Sequence, residues 1–181
     1  MEINQIVAIG NIIGSRPVDD NLNELLLEVE RLSGRTDTIR VLSPDDAKGK
    51  VKVYGQVRSR HDEGLKLYVY SELMEKTSLD DDNEAIIEGY VCKEPYFKEV
   101  CNRLITSFML VYNGRRNHYV PVVTWGKFAL LAKTLKLGDK IVVTGRLQER
   151  TYVKGGLERS VNELSARNLA FATQELADAV I

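Results

Sequence analysis

The sequence predicts an all-β chain with one short helix, built as two consecutive five-stranded barrels. Three observations predict it. A stretch from Gly138 to Arg150 opens with Gly138, Asp139 and Lys140, runs through Ile141, Val142 and Val143, and meets a second glycine, Gly145, before Arg146 and Arg150. An echo from Gly49 to Arg60 has the same plan, with Val51 and Val53 as its β-branched residues and Gly55 as the second glycine. A glycine inside a strand marks a bulge or a tight bend, which a small closed barrel needs where a strand turns a corner. Lastly, 181 residues accommodate two small domains of about 90 residues each.

The first copy reads as follows. Ile6 to Ile13 is a strand with a bulge at Gly10, and Arg16 to Asn21 is a turn by its Pro, Asp and Asn content. Leu25, Leu27 and Val29 alternate on one face of a second strand. Asp37 to Leu42 is a short third strand, Val51 to Arg58 the fourth, and Leu65, Leu67 and Val69 mark the fifth.

The order then restarts. Ile86 to Val91, with Gly89, repeats the first strand, and Glu94-Pro95 repeats the turn. Arg103 to Tyr112 is the second strand and His118 to Val122 the third. A helix from Gly126 to Leu137 follows, with Phe128, Leu131 and Leu135 on one face and Gly138 as its stop. The Gly138 strand, a hairpin tip at Tyr152 to Gly156 and a last strand from Val161 to Phe171 complete the copy. Five strands with a helix between the third and fourth is the layout of an OB-fold barrel. The expected domains are residues 1–75 and 84–173, with an acidic linker at 76–83 and a C-terminal tail at 174–181.

Charge separates the halves. Residues 1–83 carry 11 basic and 16 acidic side chains, a net of −5; residues 84–181 carry 14 and 10, a net of +4. The second half is therefore expected to present the stronger surface for an anionic ligand. No stretch has the length and apolar character of a membrane span, and the first residues lack the pattern of a secretory signal. Cys92 and Cys101 are read as reduced thiols, and a cytoplasmic location is expected. Their spacing fits no zinc pattern, and His61 and His118 do not complete one, so neither a metal nor a cofactor is expected. No arrangement of nucleophile, base and carboxylate stands out, and catalysis is not expected.

The second half resembles the bacterial single-stranded DNA-binding proteins of the OB-fold type. The residues that carry the likeness are Tyr119 to Lys127, Leu137 to Lys140, and Thr144 to Tyr152, in the family's order and spacing. The first half resembles the family more weakly, through Leu32 to Ile39 and Gly55 to Arg60. The whole is similar to the two-barrel members found in Firmicutes and their mobile elements. The resemblance implies binding of single-stranded DNA with little sequence preference, in replication, recombination or repair. It also implies a homo-oligomer, a dimer of two-barrel chains giving four barrels. The family's acidic, Phe-ended tip, which recruits replication proteins, has no counterpart in the last residues, Ala177 to Ile181.

Such binding needs cations for phosphates and flat side chains for bases. The family's aromatics align with Tyr119 and Tyr152, which are the first candidates for stacking, and Trp125 is a further one. Arg146 and Arg150 fall on one face of their strand, Arg115 and Arg116 sit on a hairpin beside His118, and Lys154 sits on the next hairpin. In the first copy the parallel set is Arg31, Arg35, Arg58 and Arg60. The second barrel is expected to dominate. Two other readings use the same fold: a protein-interaction module, such as a primosome-like accessory subunit, and an RNA binder.

Overall fold

The structure is a computed structural model that describes residues 2–61 and 64–172, with Lys154 described by its backbone alone. The expected tail at 174–181 lies outside the described residues. The first copy contains β1 (Asn4–Asp19), β2 (Leu22–Glu30), β3 (Thr36–Ser43), β4 (Gly49–His61) and β5 (Leu65–Lys76). The second contains β6 (Asp82–Val100), β7 (Arg103–Asn113), β8 (Asn117–Trp125), α1 (Lys127–Ala132), β9 (Lys140–Lys154) and β10 (Leu157–Phe171). Each set closes on itself. β1 pairs with both β2 and β4, and β3 meets β5 in parallel; β6 pairs with both β7 and β9, and β8 meets β10 in parallel. These are two OB-fold barrels, nearly all β with one short helix.

Alternation puts the apolar residues inside. Leu25, Leu27 and Val41 fill the first barrel with Val53 and Val69; Leu110, Val120, Ile141 and Leu164 fill the second, all at 1% exposure or less. Glycines mark where strands cross closely. A Cβ on Gly55 would lie 2.1 Å from the Tyr70 carbonyl oxygen, and one on Gly145 would lie 2.2 Å from that of Ser165. In both barrels the partner strand gains one extra residue beside this glycine, Glu72 in β5 and Arg167 in β10. The echo in the sequence is thus one structural device used twice.

Some element boundaries differ from the sequence reading. The bulge in β1 falls at Ile13, while Gly10 pairs regularly with Val51 and is needed because the Glu28 carbonyl oxygen would be 2.2 Å from a Cβ. Pro17 and Pro95 do not turn the chain but lie within β1 and β6, in long hairpin arms that extend beyond the barrel walls. The reversal in the second arm comes at Cys101 and Asn102, both at positive φ (49° and 60°). The helix has six residues instead of twelve. Thr134 Oγ1 donates to the Leu131 carbonyl, and the Asp139 carboxylate takes the Lys136 N–H, so side chains replace the bonds that would continue it. Lys76 ends β5 and Asp82 begins β6, so the strands are joined by Thr77 to Asp81. Asp81 accepts from the Glu30 N–H at 2.7 Å and pairs with Lys50 at 2.8 Å.

The barrels meet along β1 and β6, which pair antiparallel from Asn4 with Ile87 to Ile9 with Asp82. Gly10 and Gly89 hold equivalent places, as do Asn4 and Asn83, and the register maps each pair onto the other as a two-fold axis would. At each end an asparagine finishes the ladder with its side chain. Asn4 Nδ2 donates to the Val57 carbonyl at 2.9 Å and its Oδ1 accepts from the Val57 N–H at 2.9 Å. Asn83 does the same to Leu147, at 2.6 and 3.0 Å. Among the described residues no helix is long and apolar enough to cross a membrane.

Candidate nucleic-acid interface

The approximate two-fold carries each barrel's second hairpin across to the other barrel's fourth strand. Two basic grooves result, and each is built from both barrels. The larger, about 850 Å³, lies between the β2–β3 hairpin and β9, and is lined by Arg31, Arg35, Arg103, Arg146, Arg150 and Trp125, with Glu149 on its wall. The other, about 720 Å³, lies between β4–β5 and the β7–β8 hairpin. Arg58, Arg60, Tyr68 and Tyr70 come to it from the first barrel, Arg115 and Arg116 from the second.

In the larger groove two arginines are already matched. Arg31 makes a two-pronged pair with the buried Asp37, which raises its pKa through that hydrogen bond. Arg150 spans Glu163 at 2.9 and 3.2 Å, and its pKa is raised for the same reason. Arg35, Arg103 and Arg146 have no carboxylate partner among the described residues. Arg146 Nε is buried without a hydrogen-bond partner, and burial, then the nearby Arg31, lowers its pKa from the ordinary value. A buried cationic donor lacking an acceptor is costly, and a phosphate oxygen would satisfy it.

The second groove has no carboxylate among its lining residues. Arg58 lies 4.0 Å over the ring of Tyr70, and Arg60 lies 5.6 Å over that of Tyr68. Cation–π attraction holds each guanidinium over its tyrosine, and the guanidinium N–H groups can still meet a phosphate. The hairpin across from it is pinned at Ser59: Arg116 donates to its carbonyl at 3.2 Å, and the Tyr119 N–H donates to its hydroxyl at 2.8 Å. The Tyr112 hydroxyl donates to the Val57 carbonyl, and burial pushes its pKa up to about 12.

His118, which the sequence places on the hairpin with Arg115 and Arg116, lines the second groove but is buried at this pin. Its ring stacks on Tyr112 with centroids 5.1 Å apart, and its Nδ1 accepts from the Ser59 N–H at 3.2 Å. Burial lowers its pKa below the ordinary 6.5. A base whose native pKa is depressed is protonated first in the unfolded chain, so stability falls as pH drops below about 6.5 and levels off beneath the native pKa. Thermal melts between pH 7.5 and 5 are expected to show this loss, and His118→Gln to flatten it. An identical slope in the variant would remove His118 from the account.

Nine of the sequence-predicted residues line these grooves. Arg31, Arg35, Arg146, Arg150 and Trp125 meet in one, and Arg58, Arg60, Arg115 and Arg116 in the other. Tyr119 and Tyr152 line neither. Tyr119 is half-buried, edge-on to His61 at 6.0 Å; Tyr152 is 38% exposed, with Arg150 5.7 Å over its ring. Lys154 ends β9, but its side chain lies outside the described residues. Sequence reasoning missed Arg103 as a groove residue. The signal was its place directly after a two-residue hairpin turn.

Two barrels of this topology, with arginine grooves edged by aromatics, define an OB-fold protein equipped for an extended anionic ligand. The model of the single-strand binding protein family matches residues 82–172, half of the chain, and the chain belongs to that family. Two solved structures share the whole fold, both of the single-stranded DNA-binding protein of Thermus aquaticus. A deletion mutant superposes with a TM-score of 0.75 at 20% identity, covering 96% of each chain. The wild type gives 0.73 at 21%, covering 96% of this chain and 94% of that one. No curated protein matches the sequence.

Proposed function

We propose that this protein binds single-stranded DNA without catalysis and with little sequence preference, keeping it unpaired and protected for replication, recombination or repair. It does so as a tandem, two-barrel member of its family, of the kind the sequence resembles in Firmicutes and their mobile elements, with domains at about 1–75 and 84–173. The observation that carries this reading is the pair of arginine grooves, one of them lined without a carboxylate and floored by tyrosines. Phosphates meet the guanidiniums, and bases stack on Trp125 and on the arginine–tyrosine layers; each stacked base contributes roughly 1–3 kcal/mol whatever its identity. Because each groove takes residues from both barrels, the two share the strand more evenly than the charge of the halves suggests. Membership of the single-strand binding family supports the homo-oligomer, a dimer of two-barrel chains.

Titration with a fluorescent dT oligomer at low and high salt tests this. Tight binding that weakens with salt and extends to mixed-sequence single strands, with duplex DNA and duplex RNA bound far more weakly, is the expected result. Sedimentation should give twice the chain mass. Absence of binding even at low salt would overturn the reading in favour of a protein-interaction module, and preference for duplex RNA would move it to RNA.

A further inference from the structure

The pairing register lines up a row of side chains across one face of the second barrel. Arg146 of β9 pairs with Ser165 of β10, Ser165 with Val123 of β8, Val123 with Ser107 of β7, and Ser107 with Tyr96 of β6. Paired residues point to the same side of a sheet. That side faces away from the core in which the alternate residues Phe108 and Val122 pack, and along it Val123 and Ser165 are themselves buried, while Ser107 is half-buried and Tyr96 exposed. The next row runs from Trp125 through Ile105 to Lys98. Arg146 and Trp125 line the larger groove, so the face leads out of that groove and ends at Tyr96.

Tyr96 is 67% exposed, the most exposed aromatic ring among the described residues, and no described aromatic or cationic side chain covers it. It stands two residues from Lys98 on the same face of its strand. Strand spacing puts it roughly 12 Å from Trp125, a distance that a few nucleotides cover. The equivalent row of the first barrel ends differently. It runs Gln56, Tyr70, Leu42, Glu24, Arg16, and Arg16 is held by the buried Glu24 at 3.0 Å, with Arg40 at 3.5 Å on the same carboxylate. There a carboxylate fills the middle of the path and takes up the cations beside it. In the second barrel the small, uncharged Ser107 stands in the place of that carboxylate.

We infer that Tyr96, on the β6–β7 hairpin arm, is a further base-stacking residue for single-stranded nucleic acid, placed where a strand leaving the Arg146 groove crosses the second barrel. The inference rests on the function proposed above. The test compares wild type, Tyr96→Ala and Tyr96→Phe by anisotropy on two dT oligomers, one short enough to occupy a single groove and one long enough to cross the face. Tyr96→Ala should weaken binding of the longer oligomer about five- to a hundred-fold. It should leave the short one unchanged, and Tyr96→Phe should stay within about twofold of wild type on both. Equal affinities of wild type and Tyr96→Ala at both lengths would overturn the inference while leaving the groove reading intact. So would a change of sedimentation mass without a change of affinity, which would make Tyr96 a protein contact. Failure of the wild type to bind either oligomer would remove the underlying reading as well.

Discussion

Asn83→Ala is expected to lower stability by roughly 2–5 kcal/mol, because it strands two buried backbone groups that each cost about 1–3 kcal/mol unpaired. The amide of Asn83 is buried and is the partner of both the N–H and the carbonyl of Leu147. It stands where the β6–β9 ladder would continue past Ala85 and Gly145, after β6 has turned to pair with β1. Alanine removes the donor and the acceptor together and leaves space that cannot replace them. For a chain of this size the loss corresponds to a melting temperature roughly 5–15 °C lower. Asn83→Asp keeps the acceptor for the Leu147 N–H but turns a carboxylate oxygen toward the Leu147 carbonyl, and is expected to be at least as harmful. Asn4→Ala removes the same clamp at the more open end, where Asn4 is only half-buried, and should cost less. Calorimetric melts of the three variants decide it: a melting temperature for Asn83→Ala within about 2 °C of wild type would show that water replaces the clamp.

This clamp also shows where a sequence stops speaking. The repeat was legible because its cause is local: Gly55 and Gly145 are each forced by a carbonyl 2.1 or 2.2 Å from where a Cβ would stand. Leu25, Leu27 and Val29 alternate because one side of β2 faces the core. Pro17 and Pro95 misled, since a proline also fits the outer arm of a hairpin, where the ladder is irregular and a missing N–H costs little. The arginines that line the candidate grooves were legible as a set but not as an arrangement. Arg58 and Arg116 belong to different barrels, and only the β1–β6 pairing, which no local pattern encodes, brings them into one groove. Arg31 and Arg150 read like the others in sequence, yet Asp37 and Glu163 hold them. In the first pair the register Val29–Asp37 carries Asp37 to the base of the hairpin from which Arg31 reaches back.

Replacing Arg58, Arg60, Arg115 and Arg116 together by alanine is expected to weaken dT binding about 10²- to 10³-fold near 0.1 M salt. Each cation that meets a phosphate of a single strand contributes about 0.7 to the slope of log affinity against log salt, so the slope should shrink by roughly 2 to 3. The prediction is large here because the lining of this groove holds no carboxylate to neutralise the four charges. The same fourfold change in the other groove would be diluted by the ion pairs of Arg31 and Arg150. Two controls separate charge from architecture. Replacement of the four by lysine keeps the charge and should restore most of the salt slope. It should recover less of the affinity, since lysine lacks the planar, delocalised guanidinium that Arg58 and Arg60 place over the rings of Tyr70 and Tyr68. Arg116→Ala alone also loses the hydrogen bond to the Ser59 carbonyl, so its melting temperature is measured beside its affinity. If the alanine quadruple variant folds and binds with the wild-type salt slope, the strand does not run through this groove, and the Arg146 groove carries the binding alone.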